Sequence, residues 1–310
     1  MPVIAVVGEA LIDLVVDGEG GVAARPGGGP FNTARTLSRL GVPTTFLGRL
    51  SRDNFGRVLR ASLREDGVVL GVPAPAVAPT TLAVADVGTD GAARYEFYLD
   101  ETAAADLDYR RLIAAIPDAL TAVHVGSLAL VMEPIGCSVE RLLVDLAPDA
   151  LLMVDPNCRP AAIGDKDAYL DRFERMMHRA DAVKVSVEDL DYLCPGVPAE
   201  VAATTLLGEK LALVLVTDGP RPARAFLPVG ELSVPVPEVR VVDTIGAGDA
   251  FGGAFLAWWS ANGLGREDLR LAGKVREALR AAAEVASLTC TKAGAEPPSL
   301  AEVRALSPLW

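Results

Sequence analysis

The chain has only two histidines and four cysteines, so it is poor in the residues from which zinc cages and disulfide scaffolds are built. The cysteines, at 137, 158, 194 and 290, are far apart and form no CxxC pair, which removes a Cys/His metal framework and fits a reducing compartment. Basic residues are also scarce: 29 Lys and Arg against 41 acids give a net charge of −12. That balance excludes the clustered basic face of a nucleic-acid binder. No apolar run reaches the ~18 residues of a membrane helix. The N-terminus lacks a basic segment and meets Gly8-Glu9 too early for a signal peptide. A cytoplasmic protein is expected. Neither GxxxxGK[ST] nor a GxGxxG after the first strand occurs, so P-loop and dinucleotide-binding folds are disfavoured.

What is present reads as one large α/β domain with a small accessory element. The length of 310 residues and a hydrophobic fraction of 51% allow a substantial core. Residues 3–7 form a short apolar run, typical of a strand buried on both faces. Runs at 122–125, 151–154, 182–185 and 211–216 continue the pattern, separated by helical patterns near 134–146, 166–178, 187–193 and 199–208. This alternation predicts βαβ units and a parallel sheet. Two alternating runs, 81–87 and 94–99, flank Gly88-Thr89-Asp90-Gly91 and read as a hairpin. Because the hairpin interrupts the α/β order, it reads as a β lid in which Tyr95 and Phe97 share one face and Tyr98 takes the other. His124 in a strand and His178 near a helix end are read as packing or surface residues.

The most informative stretch is Val241-Val242-Asp243-Thr244-Ile245-Gly246-Ala247-Gly248-Asp249-Ala250-Phe251. The run 239–242 predicts a strand. The glycines predict a turn, and Phe251, Phe255, Trp258 and Trp259 follow at helical spacing. A helix N-terminus presents unpaired N–H groups and a partial positive charge. Small residues at 246, 247 and 248 let an anion approach that backbone, and Asp249 beside it can accept a proton from a hydroxyl. The plain alternative is a turn with a capping acid.

This stretch resembles, almost letter for letter, the C-terminal signature of the ribokinase-like (PfkB) carbohydrate kinases. The segment Gly27-Gly28-Gly29-Pro30-Phe31-Asn32 resembles the same family's N-terminal motif, and Gly8-Glu9, Asp155-x-Asn157-x-Arg159 and Thr289-Cys290-Thr291 are similar to fructokinase-like members. The resemblance implies a three-layer α/β/α ribokinase-like fold over residues 1–310, with a central mostly parallel sheet and a lid from about 9–30 and 78–102. It also implies ATP-dependent phosphoryl transfer to a sugar hydroxyl with magnesium. Asp249 becomes the catalytic base, and Gly246, Ala247 and Gly248 the anion hole. Asp13, Gly27, Gly28, Asn32, Tyr98 and Arg159 become sugar contacts.

Ser186, Thr217, Gly219 and Cys290 are implied on the nucleotide side. Asp189 is implied to hold magnesium through water, although Ser186 and Asp189 also read as a capping box where the family often has Asn-x-x-Glu. Backbone carbonyls at Asp243, Ile245, Thr289, Lys292 and Gly294 match a monovalent-cation site, for potassium. The lid implies a homodimer. A 2-keto-3-deoxygluconate kinase, a nucleoside kinase and a non-catalytic sugar or nucleotide sensor are the alternatives.

Overall fold

The computed structural model describes residues 2–16, 20–87, 93–146, 149–208 and 211–310. In chain order the elements are β1 (Val3–Val7), β2 (Leu11–Val16), β3 (Val22–Gly27), α1 (Gly29–Arg39), β4 (Thr44–Leu47), α2 (Asn54–Glu65) and β5 (Val69–Leu70). β6 (Leu82–Val87), β7 (Ala93–Tyr98), α3 (Tyr109–Ala114), β8 (Leu120–Gly126), α4 (Ile135–Asp145), β9 (Leu151–Asp155) and α5 (Lys166–Met177) follow. The chain closes with β10 (Ala182–Ser186), α6 (Val187–Leu193), α7 (Ala199–Leu207), β11 (Leu213–Thr217), β12 (Ala223–Leu227), β13 (Gly230–Val234), α8 (Ala247–Ala261), α9 (Ala272–Thr289) and α10 (Leu300–Arg304).

The main sheet runs β13-β12-β11-β10-β9-β8-β1-β4-β5, parallel except for β12 and β13 at one edge. Its strands are continuous apolar runs because both faces are covered. One face packs against α1, α2, α8 and α9, with Phe31, Leu37, Phe251 and Phe255 fully buried. The other packs against α3 to α7 through Leu112, Val139, Leu142 and Phe173. Helix α8 is apolar nearly all round, which suits its place between α1, α9 and the sheet. The Phe255 and Trp259 rings stack there at 5.5 Å. The parallel sheet expected from the alternation and the three-layer architecture implied by the resemblance are both observed.

A second sheet, β3-β2-β6-β7, is built from the segments expected to form the lid. Strands β6 and β7 pair antiparallel, as the two alternating runs imply, although the Asp90-Gly91 turn lies outside the described residues. The run 239–242 is not a strand. Val241 and Val242 are more than half exposed, and the N–H groups of Val242 and Asp243 donate to the Cys290 carbonyl at 2.8 and 3.3 Å. β-Branched residues report a fit to a pleated, half-buried surface, and here that surface is missing. Among the described residues no helix is long and apolar enough to cross a membrane.

Candidate active site

Two helices open onto the carboxyl end of the parallel strands, where open α/β sheets bind ligands. Helix α8 starts on Gly246 at φ 78°, and no side chain caps it. A Cβ on Gly246 would come within 2.5 Å of the Ala295 methyl, so both the left-handed turn and the close packing require glycine. Helix α1 starts on Gly28 at φ 107°, again without a capping side chain from that residue. Its Gly29 amide instead donates to Glu9 Oε1 at 3.2 Å.

Asp249, in the first turn of α8, is 9% exposed and sits between two amides. Asn32 Nδ2 donates to its Oδ2 at 2.9 Å, and Asn157 Nδ2 donates to its Oδ1 at 3.3 Å. Burial raises the Asp249 pKa; the Asn32 hydrogen bond and the charges of Lys184 and Arg159 oppose that rise. The Asn32 Oδ1 atom is buried without a partner, leaving an acceptor beside the carboxylate. A Cβ on Gly29 would lie 2.9 Å from Asn157 Nδ2 and 3.2 Å from Asp249 Oδ1, so the third glycine makes room for this cluster.

Asp13 lies in β2, where a Cβ on Gly27 would approach its Oδ2 to 2.0 Å. Burial pushes the Asp13 carboxyl up to about 6 and that of Glu9 up to about 7. Cross-strand partners share a face, which aligns Arg25, Asp13, Ala83 and Phe97. Tyr98 pairs with Leu82, and Leu82 with Ile12, on the opposite face, so the structure places Phe97 rather than Tyr98 with Asp13. Arg159 is exposed at the mouth and donates to the carbonyls of Asn157 and Cys158 in its own loop.

The nucleotide-side residues divide. Thr217 ends β11, and Gly219 follows at φ 53°. Ser186 and Asp189 form a capping box on α6: Ser186 N donates to Asp189 Oδ2 at 2.7 Å, and Asp189 N to Ser186 Oγ at 3.0 Å. Asp189 Oδ1 accepts from Cys158 N at 2.7 Å, so both of its oxygens tie protein segments together. The segments expected to supply cation carbonyls do meet. Asp243 Oδ2 accepts from Gly294 N at 2.8 Å and its Oδ1 from Ile245 N at 3.1 Å, while the Cys290 carbonyl receives the two amides already described. The Thr289 carbonyl accepts from Lys292 N at 3.2 Å.

Asn157, Glu9 and the pair Asp155–Lys184 are the groups at the site that sequence reasoning assigned no role. Asn157 stands in the Asp-x-Asn-x-Arg string and has φ 40°, an uncommon left-handed conformation. The string was visible, but nothing local says its amide meets a carboxylate 92 residues later.

Comparison with known proteins agrees with this geometry. Residues 1–302 match the family described as pfkB family carbohydrate kinase. A fructokinase of Rhizobium leguminosarum bv. trifolii is 36% identical over 254 residues, covering 81% of this chain and 77% of that protein. The crystal structure of Xylella fastidiosa fructokinase with bound ATP superposes with a TM-score of 0.90 at 29% identity, covering 98% and 97% of the two chains. A double mutant of Vibrio cholerae fructokinase, with fructose, ADP and potassium bound, gives 0.86 at 27% identity and 98% coverage of both chains. With Asp249 held at an uncapped helix start over the parallel strands, the chain belongs to the pfkB family of carbohydrate kinases.

Proposed function

We propose that this sugar kinase takes fructose or a close ketohexose as acceptor and uses Asp249 as its general base. The observation that carries the reading is the Asn32–Asp249–Asn157 cluster beneath the free N-terminus of α8. Two amides fix the carboxylate plane, and burial strengthens it as a base. A sugar hydroxyl hydrogen-bonded to Asp249 gives up its proton as its oxygen attacks the γ-phosphorus of ATP. The bond from that phosphorus to the β–γ bridging oxygen breaks, and ADP leaves. The start of α8, at Gly246, Ala247 and Gly248, faces the charge that spreads over the transferring phosphoryl oxygens; the Ala247 amide donates to the Thr244 carbonyl at 3.3 Å, so the Gly246 and Gly248 amides carry most of this role.

Asp13, Gly27, Gly28 and Asn32 orient the sugar, and Phe97 replaces Tyr98 as the aromatic of the lid's inner face. Lid closure keeps water from competing with the hydroxyl. Thr217, Gly219, Ser186 and Cys290 border the nucleotide. Magnesium would add charge neutralisation and be carried chiefly by the ATP phosphates, since Asp189 is committed to its capping box. Potassium would be held by carbonyls of the tied segments around Asp243, Ile245, Thr289, Lys292 and Gly294, next to the anion hole. The lid face opposite Asp13 carries exposed Val22 and Tyr98 and is where a second copy of the chain would pair.

The relatives named fructokinase favour fructose over a keto-acid or nucleoside, and the bound fructose, ADP and potassium of the Vibrio enzyme supply the same ligand set. The test is ADP release from MgATP against sugars, sugar acids and nucleosides, with and without potassium. Turnover highest on fructose and raised by potassium supports the reading. Preference for 2-keto-3-deoxygluconate would shift specificity to Arg159. Silence across the panel, with ligand-induced thermal shifts intact, would point to a sensor.

A further inference from the structure

Lys184 has no part in the mechanism above, yet it lies under the catalytic helix. In β10, alternation turns Ala182 and Lys184 toward the α8 layer and Val183 and Val185 toward the other. From β9, Asp155 Oδ2 meets Lys184 Nζ at 3.0 Å, with both side chains 3% exposed. From α8, a Cβ on Gly248 would sit 2.9 Å from Lys184 Nζ, which puts the ammonium against the first turn next to Asp249. From β8 comes His124, buried, with neither ring nitrogen bonded; burial and the Lys184 charge hold its pKa down at about 3, so it is neutral. Asp189 faces the ammonium from α6, and β11 offers only Leu215 opposite it.

The acids around this point outnumber the bases. Asp155, Asp189 and Asp249 all act on Lys184, and Glu9 and Asp13 feel the charges of Asp249 and of Arg159, the second cation, at the mouth. Burial opposes the charge of Lys184, but these carboxylates raise its pKa above the ordinary value. A buried ion pair taken alone contributes little net stability, because desolvation offsets the attraction. The cation is better accounted for by its effect on the group beside it.

We propose that Lys184 is a positioning residue of phosphoryl transfer: an internal ammonium, fixed behind Gly248 by Asp155, that keeps Asp249 ionised among its neighbouring carboxyls. The proposal rests on the reading of Asp249 as the base. The Lys184 charge acts to lower the Asp249 pKa, and an opposite charge within ~4–6 Å of a carboxyl lowers its pKa by roughly 1–3 units. The experiment records kcat/KM for the sugar from about pH 5 to about pH 9, since its acid limb reports the base of the free enzyme.

Lys184→Met should move that limb up by about one unit or more, Asp155→Asn should move it down, and Lys184→Arg should leave it within about half a unit. Limbs that stay at the wild-type position in Lys184→Met and Asp155→Asn, while thermal stability falls, would reduce the pair to a structural tie and overturn the proposal. Asp155→Asn keeps the shape and an acceptor for the ammonium, so it decides the matter if Lys184→Met does not fold. Near-normal turnover in Asp249→Asn would overturn the base reading and this proposal with it. An inactive Asp249→Asn beside unmoved limbs would overturn only the role of Lys184.

Discussion

Two kinds of helix start stand in contrast in this molecule, apart from α4, α7 and α9, which begin on Pro134, Pro198 and Leu271 without a side-chain cap. Helices α2, α3, α5, α6 and α10 begin on Asp53, Asp108, Asp165, Ser186 and Ser299, whose side chains accept the amide of the third helical residue. Helices α1 and α8 begin on Gly28 and Gly246 at positive φ, with no such acceptor. A capped start is complete within its own few residues. The glycine starts leave amides for something else, and that something is long-range: Glu9 reaches the α1 start, and Asn32 and Asn157 gather on Asp249. Because α4, α7 and α9 also lack a side-chain cap, the missing cap alone does not mark the site; the left-handed glycine start joined to long-range partners does.

The largest break in this contrast should come from Asp249→Asn. A general base contributes roughly 10²–10⁴-fold, so kcat should fall by that factor or more while sugar and ATP binding persist in calorimetry. Near-normal turnover would remove Asp249 from the chemistry. Next is Gly246→Ala, which forces a Cβ into the left-handed region and against Ala295. Strain of roughly 1–2 kcal/mol and a shifted anion hole should lower kcat/KM for ATP by about 10²-fold, read in steady-state assays. Unchanged ATP kinetics would show that the turn is only a turn.

Those two substitutions aim at what sequence already displayed. The turn was legible because glycine reports a backbone need that no other residue meets, and the strand and helix order was legible from periodicity. The deficiency around it was less so. Glu9, which follows the first strand, was assigned no role, and its tie to Gly29 depends on β1 and α1 meeting in space. The lid aromatics were correctly split between faces, but which face looks at Asp13 depends on the β2–β6–β7 register.

A smaller effect is expected from Glu9→Gln. The Glu9 pKa stands at about 7 in the folded protein against 4.5 for the ordinary group. The folded chain therefore holds a proton that the unfolded chain has released, and stability contributed below about pH 4.5 is lost as pH rises through about 7. Glu9→Gln keeps the acceptor for Gly29 and removes this loss, so its melting temperature should fall less than wild type across that window, by a few degrees. Parallel melting curves would refute the buried titration. The smallest effect belongs to the capped class: Asp165→Ala on α5 should cost about 1 kcal/mol or less in denaturant unfolding, with kcat and KM untouched. A kinetic change there would blur the division between scaffold and site.

By itself the sequence determined the α/β order, the two glycine starts, the position of Asp249 and the family to which these belong. Each is carried by periodicity of side chains or by a backbone conformation that one residue type allows, and both are local. Tertiary structure decided that Asn32 meets Asp249 across 217 positions, that Lys184 and Asp155 pair beneath Gly248, that the second oxygen of Asp189 takes the Cys158 amide, and that 239–242 hangs on Cys290 instead of a ladder. These depend on which strands become neighbours and in what register. Only the packed core, by bringing distant segments to one end of the sheet, settles that.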